Sequence, residues 1–471
     1  MINLEIHISN FGPIEHCSYD LSKSLIITYG QNNIGKSYAM QAVFLVLKNI
    51  IEMSEAMSYT FYNHEYADKD RLQGMVKIFA ESGRSEKVIT REINTELNRC
   101  LSEELMPGLR ESLMNTFGHY ERMLKEDSSV IIKTDDFGMM IDLAKDLISV
   151  NRKTGKPIIL SKSSSGFHKS RDTKNGLYVY VYVDGGNKIK ISDAIGVLDD
   201  AVKSMRNEIV ETIIRFAGEA YYLPASRSGI MTGMNAMSQA LALVARNRSR
   251  IHNKIEIPGI SEPIYDFYLN MSSINRESFG RYYANSKIIE REVLDGDVTF
   301  DTEKMMIKYK QKGIDEEFEM ADVSSMVAEI SPITVFIKYV IGRKVNKKKA
   351  GKKDTHIVLF IEEPEAHLHP VTQIKLLQAL CSMLDGGITI LMASHSNYIM
   401  NKMNNMVLKK EISVSEYDAV FMEKGNEGRS TTRVMPSDEL GVDDINFMDV
   451  ANMLYEEREE AIAAMFEGQD E

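Results

Sequence analysis

Gly30-Gln31-Asn32-Asn33-Ile34-Gly35-Lys36-Ser37 is the stretch from which the rest of the chain can be read. It fits the pattern GxxxxGK[ST] at every position, and its flanks are those the pattern needs. Before it, Ser24-Leu25-Ile26-Ile27-Thr28-Tyr29 is short, apolar and β-branched, which predicts a buried strand. Behind it, Tyr38 to Glu52 has helical spacing, with Ala39, Ala42, Val43, Leu45 and Val46 available for burial. Strand, glycine loop and helix in that order predict an anion cradle. Gly30 and Gly35 let the backbone amides turn toward phosphates, with Asn32 and Asn33 between them, and the helix N-terminus near Lys36 adds partial positive charge. Lys36 is placed to span the β- and γ-phosphates. Ser37 is placed to give Mg²⁺ a hydroxyl ligand, because that ion prefers hard oxygen donors. A tight glycine turn with a solvent-facing lysine is the competing reading.

Far along the chain, Ile357-Val358-Leu359-Phe360-Ile361 is a fully apolar strand that runs into Glu362-Glu363-Pro364-Glu365-Ala366-His367-Leu368-His369-Pro370. Two acids at the tip of such a strand can divide the work. Glu362 holds a Mg²⁺-bound water, Glu363 polarises an attacking water as general base, and Pro364 ends the strand. A surface acidic turn is the alternative. Thr372 to Leu384 has helical spacing, and Ile388 to Met392 is another apolar strand, followed by Ala393-Ser394-His395-Ser396. Continuous apolar strands alternating with helices predict a sheet covered on both faces. At the start, Ile2, Leu4, Ile6 and Ile8 alternate before Phe11-Gly12-Pro13, an antiparallel opening. From about 56 to 215 the pattern becomes charged and amphipathic, with strands near Val130 and Leu177 and an exposed turn at Ser161 to Gly166; this predicts an insertion with a small core of its own.

A chain of 471 residues accommodates two or three domains, or one core with a large insertion. At 44% hydrophobic and 26% charged it is not globally disordered. Cys17, Cys100 and Cys381 are too scattered for a disulfide framework or a structural zinc site, which fits a reducing cytoplasm. No run of about 18 apolar residues exists to cross a membrane. The net charge of −12 argues against a whole-surface grip on nucleic acid. The basic run 343–353 remains open to two readings: contact with DNA or an acidic partner, or a solvated loop.

The run Glu362 to Pro370, with Ala393-Ser394-His395-Ser396 after the next strand and Asn10-Phe11-Gly12-Pro13-Ile14 near the start, resembles the ABC-type ATPase heads of the SMC, RecF and Rad50 lineage. Within it, the chain is most similar to the OLD-like ATPases of bacterial anti-phage systems such as PARIS and Septu. The resemblance implies an α/β fold: an ABC-type P-loop ATPase head, with a mixed sheet flanked by helices, interrupted by a large α-rich insertion. The expected units are 1–55 (first head lobe), 56–215 (insertion), 216–320 (return to the head with a smaller insertion), 321–424 (second head lobe) and 425–471 (a C-terminal segment with an acidic helix). ATP and Mg²⁺ are the implied cofactors. Glu365 to Pro370 takes the D-loop place, and His395 that of the switch histidine beside the γ-phosphate.

Such heads complete each site in trans, so a homo-oligomer is implied. Ser324 and Ser325, at the start of an apolar helix, take the signature place, with Met326 where glycine is usual. The resemblance further implies a phage-protein trigger and a separate effector, since the metal-binding Toprim segment of OLD nucleases has no counterpart after His395; the lack of a long apolar run implies no membrane. A DNA-clamping repair ATPase is the alternative. His367 and His369 fit a dimer-facing loop or a zinc site, and Arg227, after the strand Tyr221 to Leu223, fits phosphate or the partner head, or a structural place.

Overall fold

The computed structural model describes residues 3–57, 66–164, 168–183, 189–233, 260–343, 355–425, 428–442 and 452–462. Its centre is an eleven-stranded sheet. In spatial order the strands are Glu219–Leu223, Ile357–Glu362, Ile388–Ala393, Leu25–Tyr29, Tyr417–Lys424, Ser430–Val434, Ile14–Asp20, Leu4–Phe11, Leu124–Thr134, Phe137–Asp142 and Leu147–Arg152. The first five pair in parallel, while the last five pair antiparallel, so the sheet is mixed. This is an α/β architecture, a mixed sheet flanked by helices.

Burial explains why the parallel strands read as unbroken apolar runs. Leu25–Tyr29, Ile357–Glu362 and Ile388–Ala393 are buried at every residue. Successive side chains of a strand point to opposite faces, and each face here has its own core. Ile26, Val358, Phe360 and Leu391 pack with the helix Lys36–Met57 on one side. Ile27, Leu359, Ile361 and Ile390 pack with the helices Ser325–Tyr339, Pro370–Cys381 and Asn397–Leu408 on the other. A one-residue slip of Ile357–Glu362 would exchange the two sets and carry the paired glutamates off the strand tip. The five helix residues expected to be buried, Ala39, Ala42, Val43, Leu45 and Val46, are all in the core.

The stretch 56–215 does not keep a core to itself. Its strands Leu124–Thr134, Phe137–Asp142 and Leu147–Arg152 extend the head's sheet, with Lys133 opposite Glu5 and Val130 opposite Ile8. Leu97, Leu105, Ile132 and Ile209 share one hydrophobic cluster with Ile6 and Val43. The physical reason is the edge of Leu4–Phe11, whose backbone groups would otherwise lie unpaired. A second sheet, in the order Ile189–Lys190, Gly176–Val183, Ile158–Ser163 and Glu86–Val88, lies against the helices Lys69–Glu81 and Ser192–Phe216. Ser161 belongs to one of these strands and is buried, which corrects the exposed turn expected there; residues 165–167 lie outside the described residues.

Toward the C-terminus, Tyr417–Lys424 and Ser430–Val434 join the head's sheet, and 452–462 is an exposed helix. Of the basic run 343–353 only Arg343 is described, its guanidinium donating to the Ser273 carbonyl at 2.6 Å; the rest lies outside the described residues. Among the described residues no helix is long and apolar enough to cross a membrane.

Candidate functional site

Strand register assembles the site. Glu362 pairs with Ala393, and Ala393 with Thr28, so the glycine loop, the two glutamates and the histidine loop all leave the same edge of the parallel strands. Gly30 has φ +147° and Gly35 φ +99°, values that side chains avoid. A Cβ on Gly30 would also lie 2.5 Å from the Met422 carbonyl oxygen. Gly30→Ala is therefore expected to cost about 1–3 kcal/mol of stability, read as a lower urea midpoint with an unchanged slope. An unchanged midpoint would show that the loop relaxes around the methyl group.

Lys36 opens the helix Lys36–Met57 and is buried. Its Nζ folds back into the loop, donating to the carbonyls of Gly30 at 2.9 Å and Gln31 at 2.8 Å, and lies 3.5 Å from His395 Nδ1. Burial lowers the ammonium to about 8, against the pull of Glu363 and Glu365. Asn32 and Asn33 are exposed at the loop's crest, Asn33 with φ +58°.

Glu362 is buried at the strand tip. Its Oε1 accepts from the Tyr222 hydroxyl and from Gln41 Nε2 at 3.3 Å, and its Oε2 from the Ala225 amide at 3.2 Å. Tyr222 is wholly buried between Phe44 and Phe360. Burial, and next to it Glu362, push its phenol well up, so it stays a donor. These three partners had not been expected from sequence. One signal was there: Gln41 is the single polar residue between Ala39 and Leu47.

Glu363 turns out of the strand at φ +40°, a left-handed conformation for a residue with a side chain. Its carboxylate is half-exposed, with Oε1 3.7 Å from His395 Nε2. Burial, and then Lys36, hold the His395 imidazole below its usual value, against Glu363 and a bond to the Gly30 backbone. With its proton on Nε2, a neutral ring has Nδ1 free to accept from Lys36 at 3.5 Å.

Glu365 anchors the histidine loop from below, its Oε1 accepting from Ser394 Oγ at 2.7 Å and from the His395 amide at 2.6 Å. Its Oε2 is buried without a partner among the described residues, and burial raises its pKa. A carboxyl raised in the fold adds most stability below its unfolded value and loses that contribution as pH rises through its folded value. Glu365→Gln, which keeps an acceptor for both donors, is thus expected to raise the melting temperature at pH 8 by an amount worth roughly 1 kcal/mol, with the gain vanishing toward pH 4. A gain independent of pH would refute the buried charge.

Arg227 does not reach toward phosphate. It is wholly buried, its NH1 donating to the carbonyls of Pro224 and Glu362, and burial lowers its pKa against the pull of Glu329 and three further glutamates. Ser324 and Ser325 are exposed at the start of the helix Ser325–Tyr339, where the Ser324 hydroxyl accepts from the Val327 amide at 3.4 Å. Among the described residues no hydrogen bond joins them to the glycine loop. His369 caps the helix Pro370–Cys381, accepting from the Val371 amide, and His367 is exposed at φ +63°. No group of three or more His, Cys, Asp or Glu able to hold a metal occurs among the described residues.

Residues 234–400 match the family model AAA_15, an AAA ATPase domain. No curated protein matches the chain. Among solved structures, an SMC head bound to the C-winged helix domain of ScpA aligns at 10% identity and TM-score 0.36, over 93% of this chain and 98% of that one. The SMC head domain from Thermotoga maritima aligns at 9% and 0.33, over 93% and 100%. A Pyrococcus furiosus Smc head with an extended coiled coil, bound to the C-terminal domain of ScpA, aligns at 10% and 0.35, over 97% and 100%. The matched segment holds the strand of Glu362 and the loop of His395, and the sheet seats both beside the N-terminal glycine loop: the chain is an ATPase that uses ATP and Mg²⁺ on an α/β P-loop fold.

Proposed function

We propose that this ATPase is the switch subunit of a bacterial anti-phage complex: ATP closes paired heads, hydrolysis reopens them, and the change controls a separate effector, a nuclease or toxin. The observation that carries the switch reading is the convergence of Lys36, Glu363 and His395 at one strand edge. In this reading Asn32, Asn33, Gly35 and Lys36 hold the triphosphate, and Lys36 exchanges the carbonyls of Gly30 and Gln31 for β- and γ-phosphate oxygens. The donor set fits Mg²⁺, since Ser37 and Glu362 offer hard oxygens and Glu362 Oε2, which accepts from the Ala225 amide, keeps a lone pair for a metal-bound water. When bound, the ion neutralises charge that develops on the phosphates. Glu363 takes a proton from water as the water oxygen bonds to the γ-phosphorus and the bridge to ADP breaks. His395 offers its Nε2 proton to the γ-phosphate, and phosphate and ADP leave.

Ser324 and Ser325 begin an exposed helix terminus whose amides suit the nucleotide of a neighbouring copy. The motif likeness from Glu362 to Ser396 supports the defence role and a cytoplasmic setting. Purifying the tagged chain from its native host tests both halves. A protein encoded beside it should co-purify in fixed ratio, and the mass of the complex should rise with ATP. Recovery of the chain alone, as an ATP-insensitive monomer, would sink the reading. ATP turnover stimulated severalfold by duplex DNA and lost steeply with salt would select the DNA-clamping alternative.

A further inference from the structure

A residue's φ and ψ are rotations on either side of its Cα, so whatever grips the two flanking peptide groups fixes both. Arg227 does this to Glu363. Its NH1 donates to the Glu362 carbonyl at 2.8 Å, in the peptide before Glu363, and its NH2 donates to the Glu363 carbonyl at 3.3 Å, in the peptide after it. The Glu363 amide adds a third tie, to the Ala393 carbonyl at 3.0 Å. The guanidinium is itself immobile. It is wholly buried, with NH1 also on the Pro224 carbonyl at 2.9 Å, Nε on the Glu329 carbonyl at 3.3 Å, and the Glu329 carboxylate 3.7 Å away. Glu329 is held in turn by Ser228 Oγ at 2.5 Å and by the Arg227 amide at 3.1 Å.

We propose that Arg227 is a positioning residue that keeps Glu363 in its left-handed turn and so aims the Glu363 carboxylate; this rests on the reading of Glu363 as general base. Left-handed backbone is unfavourable for glutamate and persists only where its surroundings over-determine it. A planar fork with five donors can hold two successive carbonyls, which a lysine ammonium on a flexible stem cannot. Glu329 lies on the helix begun by Ser324 and Ser325. One side chain therefore ties the general base to the terminus proposed to face a neighbouring copy.

Arg227→Lys in the full chain is the test, with kcat, KM and the affinity for a fluorescent ATP analogue measured together. A misaimed base lowers kcat by roughly 10- to 100-fold, with analogue affinity unchanged within about threefold. The decisive arm is the pair with Glu363→Gln. When the base is already gone, Arg227→Lys should lower the residual rate no further, whereas a merely structural arginine would lower it in both backgrounds and weaken binding. An unchanged kcat, or additive losses, would overturn the proposal. Loss of activity in Glu363→Gln with full activity in Arg227→Lys sinks this inference alone, while full activity in Glu363→Gln sinks the reading beneath it. If the lysine variant fails to fold, Glu329→Gln decides by the same cycle, with a kcat loss of the same sign supporting the proposal and unchanged kcat overturning it.

Discussion

Glu363→Gln abolishes most turnover and spares binding: kcat falls on the order of 10²–10⁴-fold, the usual worth of a general base, while ATP affinity stays within a few-fold. The amide keeps the size of the carboxylate but cannot accept the water's proton. Its backbone remains gripped by Arg227 and the Ala393 carbonyl, so the surrounding geometry should survive. A second signature follows from the proposed cycle: with hydrolysis blocked, ATP should hold the heads closed, and the complex should elute at its ATP-bound mass long after the unsubstituted protein has reopened. Rapid turnover by this variant would remove Glu363 from the chemistry.

Lys36→Ala acts one step earlier. The buried ammonium is the one cation within hydrogen-bond reach of the loop carbonyls among the described residues, and charge-assisted bonds to phosphate are about twice as strong as neutral ones. Loss of two such bonds weakens ATP binding by on the order of 10²-fold or more, so ATP should no longer raise the melting temperature. The pH dependence has a definite sign. Burial holds free Lys36 at about 8, and a bound triphosphate pulls it back up. Above pH 8 the free amine is largely neutral and the bound one charged, so ATP binding takes up a proton. Calorimetry in buffers of different ionisation heat should show that uptake in the unsubstituted protein and none in Lys36→Ala.

The site was legible wherever chemistry and local pattern coincide. The strand Leu25–Tyr29, the glycines at positive φ and the glutamates ending Ile357–Glu362 are all specified within a few residues of themselves. What stayed hidden depends on partners far away in sequence. Nothing near Lys133 announces that it will face Glu5, because periodicity gives a strand's faces and not its neighbour. Arg227 stays open between a phosphate or partner contact and a structural place, since the carbonyls of Glu362 and Glu363 that satisfy it arrive more than a hundred residues later. Ser161 reads as a turn because serine and glycine follow it, yet pairing with Glu86 and Tyr180 places it in a sheet.

The strand that bears the glycine loop lies between Ile388–Ala393 and Tyr417–Lys424. Both neighbours are translated late. At about 5–20 residues per second, the roughly 390 residues from Ser37 to Lys424 take about 20–80 s to synthesise, and until they are made the strand Leu25–Tyr29 lacks one or both of its sheet neighbours. An unfinished polypeptide therefore cannot bind nucleotide. Leu25–Tyr29 must wait for those neighbours, whereas Leu4–Phe11 can already pair with Ile14–Asp20 and Leu124–Thr134.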